Sequence, residues 1–179
     1  MIRSWTKIRK KLEEEYLAYS LRGRIRYFCT SYSKCPDHEG RAAILLDGKQ
    51  IISGSYWEQW SNAHLLPDDE TREKRLRTEF AFMDDTAVKL GMFDQRQFYS
   101  AFCEFDGQSI EESLASKNCL VRVFALLDRR VGRRRLIKLK ETIGTEGEIF
   151  RIFFEIREKA EQDKHNGKVD EYALSVLRV

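Results

Sequence analysis

Five arginines lie within seven positions of residues 126–136, which read Leu-Leu-Asp-Arg-Arg-Val-Gly-Arg-Arg-Arg-Leu. A guanidinium group is always charged, and burying it without a partner carries a large desolvation cost. The five side chains must therefore meet carboxylates, phosphates or water. This requirement limits how the segment can fold more than any other feature of the sequence does.

Gly132 divides these arginines between two predicted helices. From the probable N-cap Asn118, apolar residues follow one helical face as far as Val131. In one unbroken helix Arg134 would point into that apolar face, at a cost of several kcal/mol. We therefore predict that the first helix ends at Gly132 in a left-handed cap, and that Gly132→Leu destabilises the fold by about 1 kcal/mol or more.

The arginines have three possible kinds of partner. Inside the chain they would pair with acidic residues of segment 61–118, such as Asp84, Asp85 and Glu104. Outside it they would bind phosphates, including those of RNA, or an acidic protein. We favour internal pairing, and the candidate binding or ion-pair residues are Asp128, Arg129, Arg130, Arg133, Arg134 and Arg135.

The charge distribution supports internal pairing. The net charge is +4 in residues 1–60, −5 in residues 61–118 and +4 in residues 119–179, and the total is only +3. A basic–acidic–basic order can neutralise itself on folding, so the small total predicts no strong attraction for nucleic acid. The sequence also lacks basic residues interleaved with exposed aromatics, the usual pattern of single-strand binding.

The first third of the chain predicts one helix and a small sheet. Apolar spacing over residues 5–16 indicates a helix of about four turns. Residues 24–32, 41–46 and 49–52 have the composition of strands, and Asp47-Gly48 between the last two is a strong hairpin signal. These elements predict a three-stranded antiparallel sheet with the helix across one face.

The rest of the chain is predicted to be helical. Gly91 suits a left-handed cap after a helix over residues 72–90. Asp94, Ser109 and Thr145 each begin a capping-box pattern, and Asn166-Gly167 indicates a break before a short final helix. We predict an α+β fold in a single domain, residues 1–179, in which residues 1–54 form the helix and sheet and residues 55–179 the helical part.

Composition excludes several classes of protein. The longest apolar runs are five residues, too short to cross a membrane, and no apolar stretch follows the basic N-terminus as in a signal peptide. We expect a cytoplasmic protein with no membrane partner. The four cysteines are widely spaced, so free thiols are expected rather than a disulfide framework.

No residue pattern predicts catalysis, a metal or a cofactor. Cys35-Pro-Asp-His38 gives only half of a zinc-site spacing. Cys119 follows a probable N-cap, but its apolar neighbours indicate burial rather than reactivity. His64 and His165 have no partner by spacing. Trp57 and Trp60 have helical spacing, which favours core packing over an exposed ledge.

Three stretches resemble a family of uncharacterised bacterial cytosolic proteins. They are Trp5-Thr-Lys7 with Lys10-x-Leu12, then Ser20-Leu-x-Gly-Arg24 through Tyr32, Asp37-x-x-Gly-Arg41 and Asp47-Gly-Lys49, and finally Leu127-Asp-Arg-Arg-Val-Gly-x-Arg-Arg-Leu136. The resemblance covers about the first 50 residues and the arginine segment, and Thr6 stands where members usually have Ser. It implies an α+β bacterial domain and no assigned catalytic residue.

From these observations we expect a non-enzymatic cytoplasmic protein that acts by binding another protein. The alternative is an RNA- or phosphate-binding module that uses the arginine cluster of residues 129–135. A hydrolase or transferase would need a pocket that the sequence does not reveal.

Overall fold

The chain folds as an N-terminal helical segment, a three-stranded sheet and a mostly helical remainder. A computed structural model describes residues 4–31, 40–61 and 83–176, with side chains for all of them except residues 31, 59, 60 and 165–176. The predicted α+β class is confirmed.

The N-terminal helix is α-helical only in its first half. Helix α1 covers Trp5–Lys10 and continues as a wider π-helical segment, Lys11–Tyr16. The wide turn is closed by the N–H of Leu17, which donates to the Leu12 carbonyl oxygen five residues earlier at 3.0 Å. The helix predicted over residues 5–16 is therefore confirmed, with a second half that is π-helical rather than α-helical. A short 3₁₀ turn, Tyr19–Leu21, follows.

The three strands form one antiparallel sheet in the order β1-β2-β3. Strand β1 covers Ile25–Ser31, β2 covers Gly40–Leu46 and β3 covers Lys49–Ser55. The predicted hairpin between β2 and β3 is confirmed, because Asp47 and Gly48 have φ values of 50° and 79°.

Strand β3 extends three residues beyond its predicted end, since Ser53–Ser55 pair with residues 41–43 of β2, and Gly54 lets another backbone come close to it. A Cβ atom at Gly54 would lie 2.2 Å from the carbonyl oxygen of Phe93. The absence of a side chain lets the segment after Gly91 cross the sheet at van der Waals distance. Gly91 itself has φ 68°, as the predicted left-handed cap requires.

The remaining described helices surround one central helix. Helix α6 has every residue buried except Arg122, and it packs against α4, α5 and α8. A helix that is apolar on all sides belongs in a core. The helix bounds are α2 Tyr56–Ser61, α3 Asp85–Lys89, α4 Gln95–Gly107, α5 Ile110–Leu114, α6 Cys119–Leu127, α7 Arg133–Thr142 and α8 Glu148–Val176, with a 3₁₀ turn at Ile143–Thr145.

The predicted helix starts at Asp94, Ser109 and Asn118 are confirmed by their side-chain caps. The start at Thr145 is wrong. Helix α8 begins at Glu148, and its first N–H groups donate to the carboxylate of Asp85, at 3.1 Å from Glu148 and 2.7 Å from Ile149. A residue distant in sequence provides the cap that a local pattern predicted for Thr145.

Two other predicted boundaries differ from the structure. Helix α8 continues to Val176, so the break at Asn166-Gly167 is wrong. Of the helix predicted over residues 72–90, only Asp85–Lys89 is seen, and residues 72–82 lie outside the described residues.

The predicted break within the arginine segment is confirmed, but its mechanism is not. Helix α6 ends at Leu127, and Asp128 is already extended, with φ −72° and ψ 141°. Gly132 precedes α7 as its N-cap with φ −80°, and a Cβ there would meet no atom within 4 Å. The predicted left-handed cap is therefore wrong, and the destabilisation predicted for Gly132→Leu loses that physical basis.

Candidate functional site

The turn between α6 and α7 is held by the chain that follows the π-helical segment. The N–H of Ala18 donates to the Leu127 carbonyl oxygen at 2.9 Å, and the N–H of Arg129 donates to the Tyr16 carbonyl oxygen at 2.7 Å. These two bonds form an isolated antiparallel bridge between Leu17 and Asp128. The bridge competes with continued helix and so sets where α6 ends.

Asp128 and Arg130 stabilise this turn from within. The buried Asp128 carboxylate accepts hydrogen bonds from Arg130 through its backbone N at 2.7 Å, Nε at 3.1 Å and Nη2 at 2.9 Å. The hydrogen bond to Asp128 raises the pKa of Arg130. The guanidinium also lies 5.2 Å from the Tyr16 ring centroid and 5.5 Å from that of Phe105. Arg130 thus ties the turn to the core.

Arg135 is also held within the chain. Its Nη1 donates to the Arg130 carbonyl oxygen at 2.9 Å, and its Nη2 pairs with Glu111. A hydrogen bond from the backbone N–H of Glu111 itself, and after it the bond from Arg135, lower the pKa of Glu111. Glu111 belongs to the acidic middle segment, as internal pairing requires, but the pair is exposed and contributes little stability.

The three acidic partners proposed by name from the sequence are wrong. Asp84 caps α3 by accepting from the Ala87 N–H at 2.9 Å. Asp85 caps α8, and Glu104 accepts from the Ser116 hydroxyl at 2.7 Å. Each carboxylate accepts a hydrogen bond from a helix start or loop that lies near it in the structure. The sequence alone could not show which groups would lie near each carboxylate.

Arg133 and Arg134 point into solvent at the start of α7. Both are exposed, and neither contacts a carboxylate among the residues that the structure describes. One turn further along, Ile137 is 55% exposed. The outward face of α7 thus combines two unneutralised arginines with an apolar side chain.

Arg129 belongs to a separate group, which we call the Tyr19 cluster: Tyr19, Arg22, Arg129 and Lys164. Arg129 Nη1 donates to the Tyr19 hydroxyl oxygen at 3.2 Å. Around the Tyr19 ring centroid, the Arg22 guanidinium carbon lies at 4.4 Å and Lys164 Nζ at 5.4 Å. The hydrogen bond from Arg129 and the nearby positive charges lower the pKa of Tyr19.

A polar cluster that the sequence did not reveal adjoins the turn. The Tyr16 hydroxyl donates to Asp106 Oδ1 at 2.5 Å, and Lys11 Nζ pairs with the same oxygen. Burial and the hydrogen bond to Asp106 raise the pKa of Tyr16. Lys11 and Tyr16 are five residues apart, and the π-helical geometry brings them to one side. In a regular α-helix, two side chains five positions apart would point to different faces.

A second unpredicted network surrounds the buried Arg157 on α8. Its Nη1 donates to the Ser20 hydroxyl at 2.7 Å and pairs with Glu161, while Nη2 donates to the Val131 carbonyl oxygen at 3.0 Å. Burial would raise the pKa of Glu161, but bonds from Ser20 and Arg157 lower it overall. The network joins α8 to both segments of the turn.

The other residues considered from sequence form no reactive site in the described structure. Burial raises the pKa of the Cys119 thiol to about 12, as expected of an unreactive cysteine. Trp57 is 69% exposed, so its predicted core packing is wrong. The side chains of Trp60 and His165 are not described, and the zinc-like loop at residues 35–38 and His64 lie outside the described residues.

Two kinds of feature are absent from the described residues. They contain no group of three or more histidine, cysteine, aspartate or glutamate side chains arranged to hold a metal ion. In the same part of the chain, no helix has both the length and the apolar character needed to cross a membrane.

No curated protein and no solved structure matches the chain. A family model matches residues 4–158, which include α1, the sheet, both residues of the Leu17–Asp128 bridge, and α7. The expectation of a family of uncharacterised proteins is thereby confirmed. The chain belongs to the SF0329 protein family.

Proposed function

We propose that this protein is a non-enzymatic binding protein of the bacterial cytoplasm, acting as a single domain, whose α7 docks against an acidic surface of another protein. The observation that carries the proposal is the exposure of Ile137 beside Arg133 and Arg134. Protein interfaces are enriched in arginine and place apolar side chains at their centre. An apolar residue next to two arginines supports a protein partner over a purely ionic one.

Electrostatics supports an acidic partner. Arg135 and Lys140 of α7 are paired with Glu111 and Glu158. Arg133, Arg134 and Lys138 contact no carboxylate in the described parts of the chain. The positive end of the helix dipole adds to the charge of the arginines. Such a surface speeds association with a negatively charged partner and weakens in high salt.

The proposals of a bacterial origin and of a cytoplasmic location for this protein rest on its sequence. The resemblance of the first 50 residues and the arginine segment to a family of bacterial cytosolic proteins supports both a bacterial source and the cytoplasm.

RNA binding is the second candidate, because Tyr19 is 56% exposed and contacts Arg22 and Arg129. An exposed aromatic ring beside basic residues is the usual feature of single-strand binding. The spacing of residues in the sequence did not show this pairing.

Capture from native lysate, with and without nuclease, tests the proposal. The wild-type chain is compared with Arg133→Glu/Arg134→Glu and with Ile137→Asp. The matched control is Arg96→Glu/Arg151→Glu, which reverses two exposed charges on α4 and α8. Any protein retained by the wild type is then purified, and its affinity for each variant is measured.

We expect one acidic protein to bind the wild type and the control, to survive nuclease, and to bind both α7 variants at least about tenfold more weakly. Equal affinity for wild type and α7 variants would contradict the proposal. Loss of all capture after nuclease would favour RNA instead.

A further inference from the structure

We propose that the Tyr19 cluster is a binding site for a phosphate group. It is separate from the α7 surface, because none of its four residues belongs to α7. Three elements contribute to it: the 3₁₀ turn with the residue that follows it, the turn after α6, and α8. Convergence from three elements distinguishes the cluster from a run of charges along one helix.

The hydrogen bonding of Tyr19 leaves a donor for an incoming anion. Arg129 donates to the hydroxyl oxygen at 3.2 Å, so the hydroxyl acts there as an acceptor. Its own proton remains available to a ligand oxygen. The lowered pKa of Tyr19, caused first by that bond from Arg129, makes the hydroxyl a stronger donor.

The charges of the cluster are not neutralised by the carboxylates described around it. Glu161, whose pKa is lowered by Ser20 and Arg157 and to a smaller extent by Lys164, already accepts hydrogen bonds from Ser20 and Arg157. Glu14 offers Arg22 only its backbone carbonyl oxygen. In the described structure no ion pair involves Arg22, Arg129 or Lys164.

The count of cations favours phosphate over a single carboxylate. Three positive side chains contact one tyrosine, Arg129 at its hydroxyl and Arg22 and Lys164 over its ring, whereas a carboxylate carries one negative charge. A phosphate monoester carries between one and two negative charges at neutral pH and has three oxygens to accept hydrogen bonds. Arginine forks match those oxygens in geometry.

Two probes distinguish the sources of such a group. Inorganic phosphate stands for the phosphate of a small molecule, and a ten-nucleotide oligouridylate without terminal phosphates stands for a nucleic-acid backbone. Each is titrated at constant ionic strength into the full chain labelled with ¹³C in its tyrosine rings. The Tyr19 resonances, assigned with Tyr19→Phe, report binding at the cluster.

The variants are Arg129→Gln and Lys164→Gln, and the matched control is Arg96→Gln, which removes an exposed arginine of α4. Thermal unfolding checks that each variant is folded, and Lys164→Gln replaces Arg129→Gln if the latter is not. We expect a saturable shift of Tyr19 with at least one probe, about tenfold weaker in the cluster variants and unchanged in the control.

A response to phosphate alone identifies small phosphorylated molecules, and a response to the oligonucleotide alone identifies a nucleic-acid backbone. The absence of a Tyr19 shift with both probes would overturn the proposal, as would equal affinity in Arg129→Gln and wild type. Neither result depends on α7, so the protein-binding proposal stands or fails separately.

Discussion

The Arg157 guanidinium on α8 donates from Nη2 to the carbonyl oxygen of Val131, at 3.0 Å, in the turn that precedes α7. The same side chain donates to the Ser20 hydroxyl at 2.7 Å. One buried cation therefore joins the long C-terminal helix to both chain segments that meet at the Leu17–Asp128 bridge. The position of the arginine-bearing turn depends on this connection.

Replacing Arg157 with methionine should destabilise the fold strongly. The change would leave the Val131 carbonyl oxygen and Glu161 without their described guanidinium partner. We expect a loss of about 2 kcal/mol in the free energy of unfolding, because the buried Val131 carbonyl oxygen loses its donor while Glu161 is partly exposed to water. Urea denaturation measures it. Arg151→Met, on the exposed side of the same helix, should change stability by less than about 0.5 kcal/mol. Similar values for both variants would contradict the structural role of Arg157.

The start of α8 gives a second prediction. Asp85→Ala removes the acceptor of the Glu148 and Ile149 N–H groups and should cost about 1 kcal/mol. Thr145→Ala removes only an exposed hydroxyl bonded to the Thr142 carbonyl oxygen, so its effect should be within about 0.5 kcal/mol. Thermal unfolding of the two variants compares the caps. A larger loss in Thr145→Ala would mean that the local capping box forms after all.

Local signals in the sequence predicted much of the fold. Asp47 and Gly48 determine their own turn, and the caps at Ser109 and Asn118 bond to residues two or three positions away. Such features need no knowledge of the tertiary structure. The start of α8 depends on Asp85, whose carboxylate accepts a hydrogen bond from the N–H of Ile149, 64 residues away in the sequence. No local pattern contains that information.

The candidate site, like the fold, could be predicted from the sequence only in part. The dense arginines and the need for a break were visible in the sequence, since both follow from the cost of burying charge. Their individual roles were not visible. Arg129 and Tyr19 are 110 residues apart, and Lys11 and Tyr16 meet Asp106 only because a π-helical turn changes the usual spacing. Which arginine is structural and which is exposed is a tertiary property.

The conformation of Gly132 provides a third prediction. Its φ of −80° suits any residue, a Cβ there has no neighbour within 4 Å, and serine is at least as good an N-cap as glycine, so Gly132→Ser should lower stability by less than about 0.5 kcal/mol. The comparison is Gly48→Ser, at a position that also has open space but has φ 79°, and it should cost about 1 kcal/mol. Equilibrium denaturation of both variants measures the difference. A loss at Gly132 equal to that at Gly48 would show that Gly132 adopts a left-handed conformation in solution.

The thiols give a prediction about pH. Burial raises the pKa of both Cys29 and Cys119 to about 12, whereas an unfolded cysteine titrates near 8.5. Because only the thiolate is alkylated, both residues should resist iodoacetamide at pH 8 in the folded protein, while the exposed Cys103 is labelled. The same shift makes folding less favourable as pH rises above about 8.5, since unfolding then lets the two thiols lose protons. Mass spectrometry of peptides labelled in buffer and in urea measures each site, with the urea sample as the control for intrinsic reactivity. Labelling of Cys119 in buffer at the rate seen for Cys103 would mean that the central helix is not packed as described.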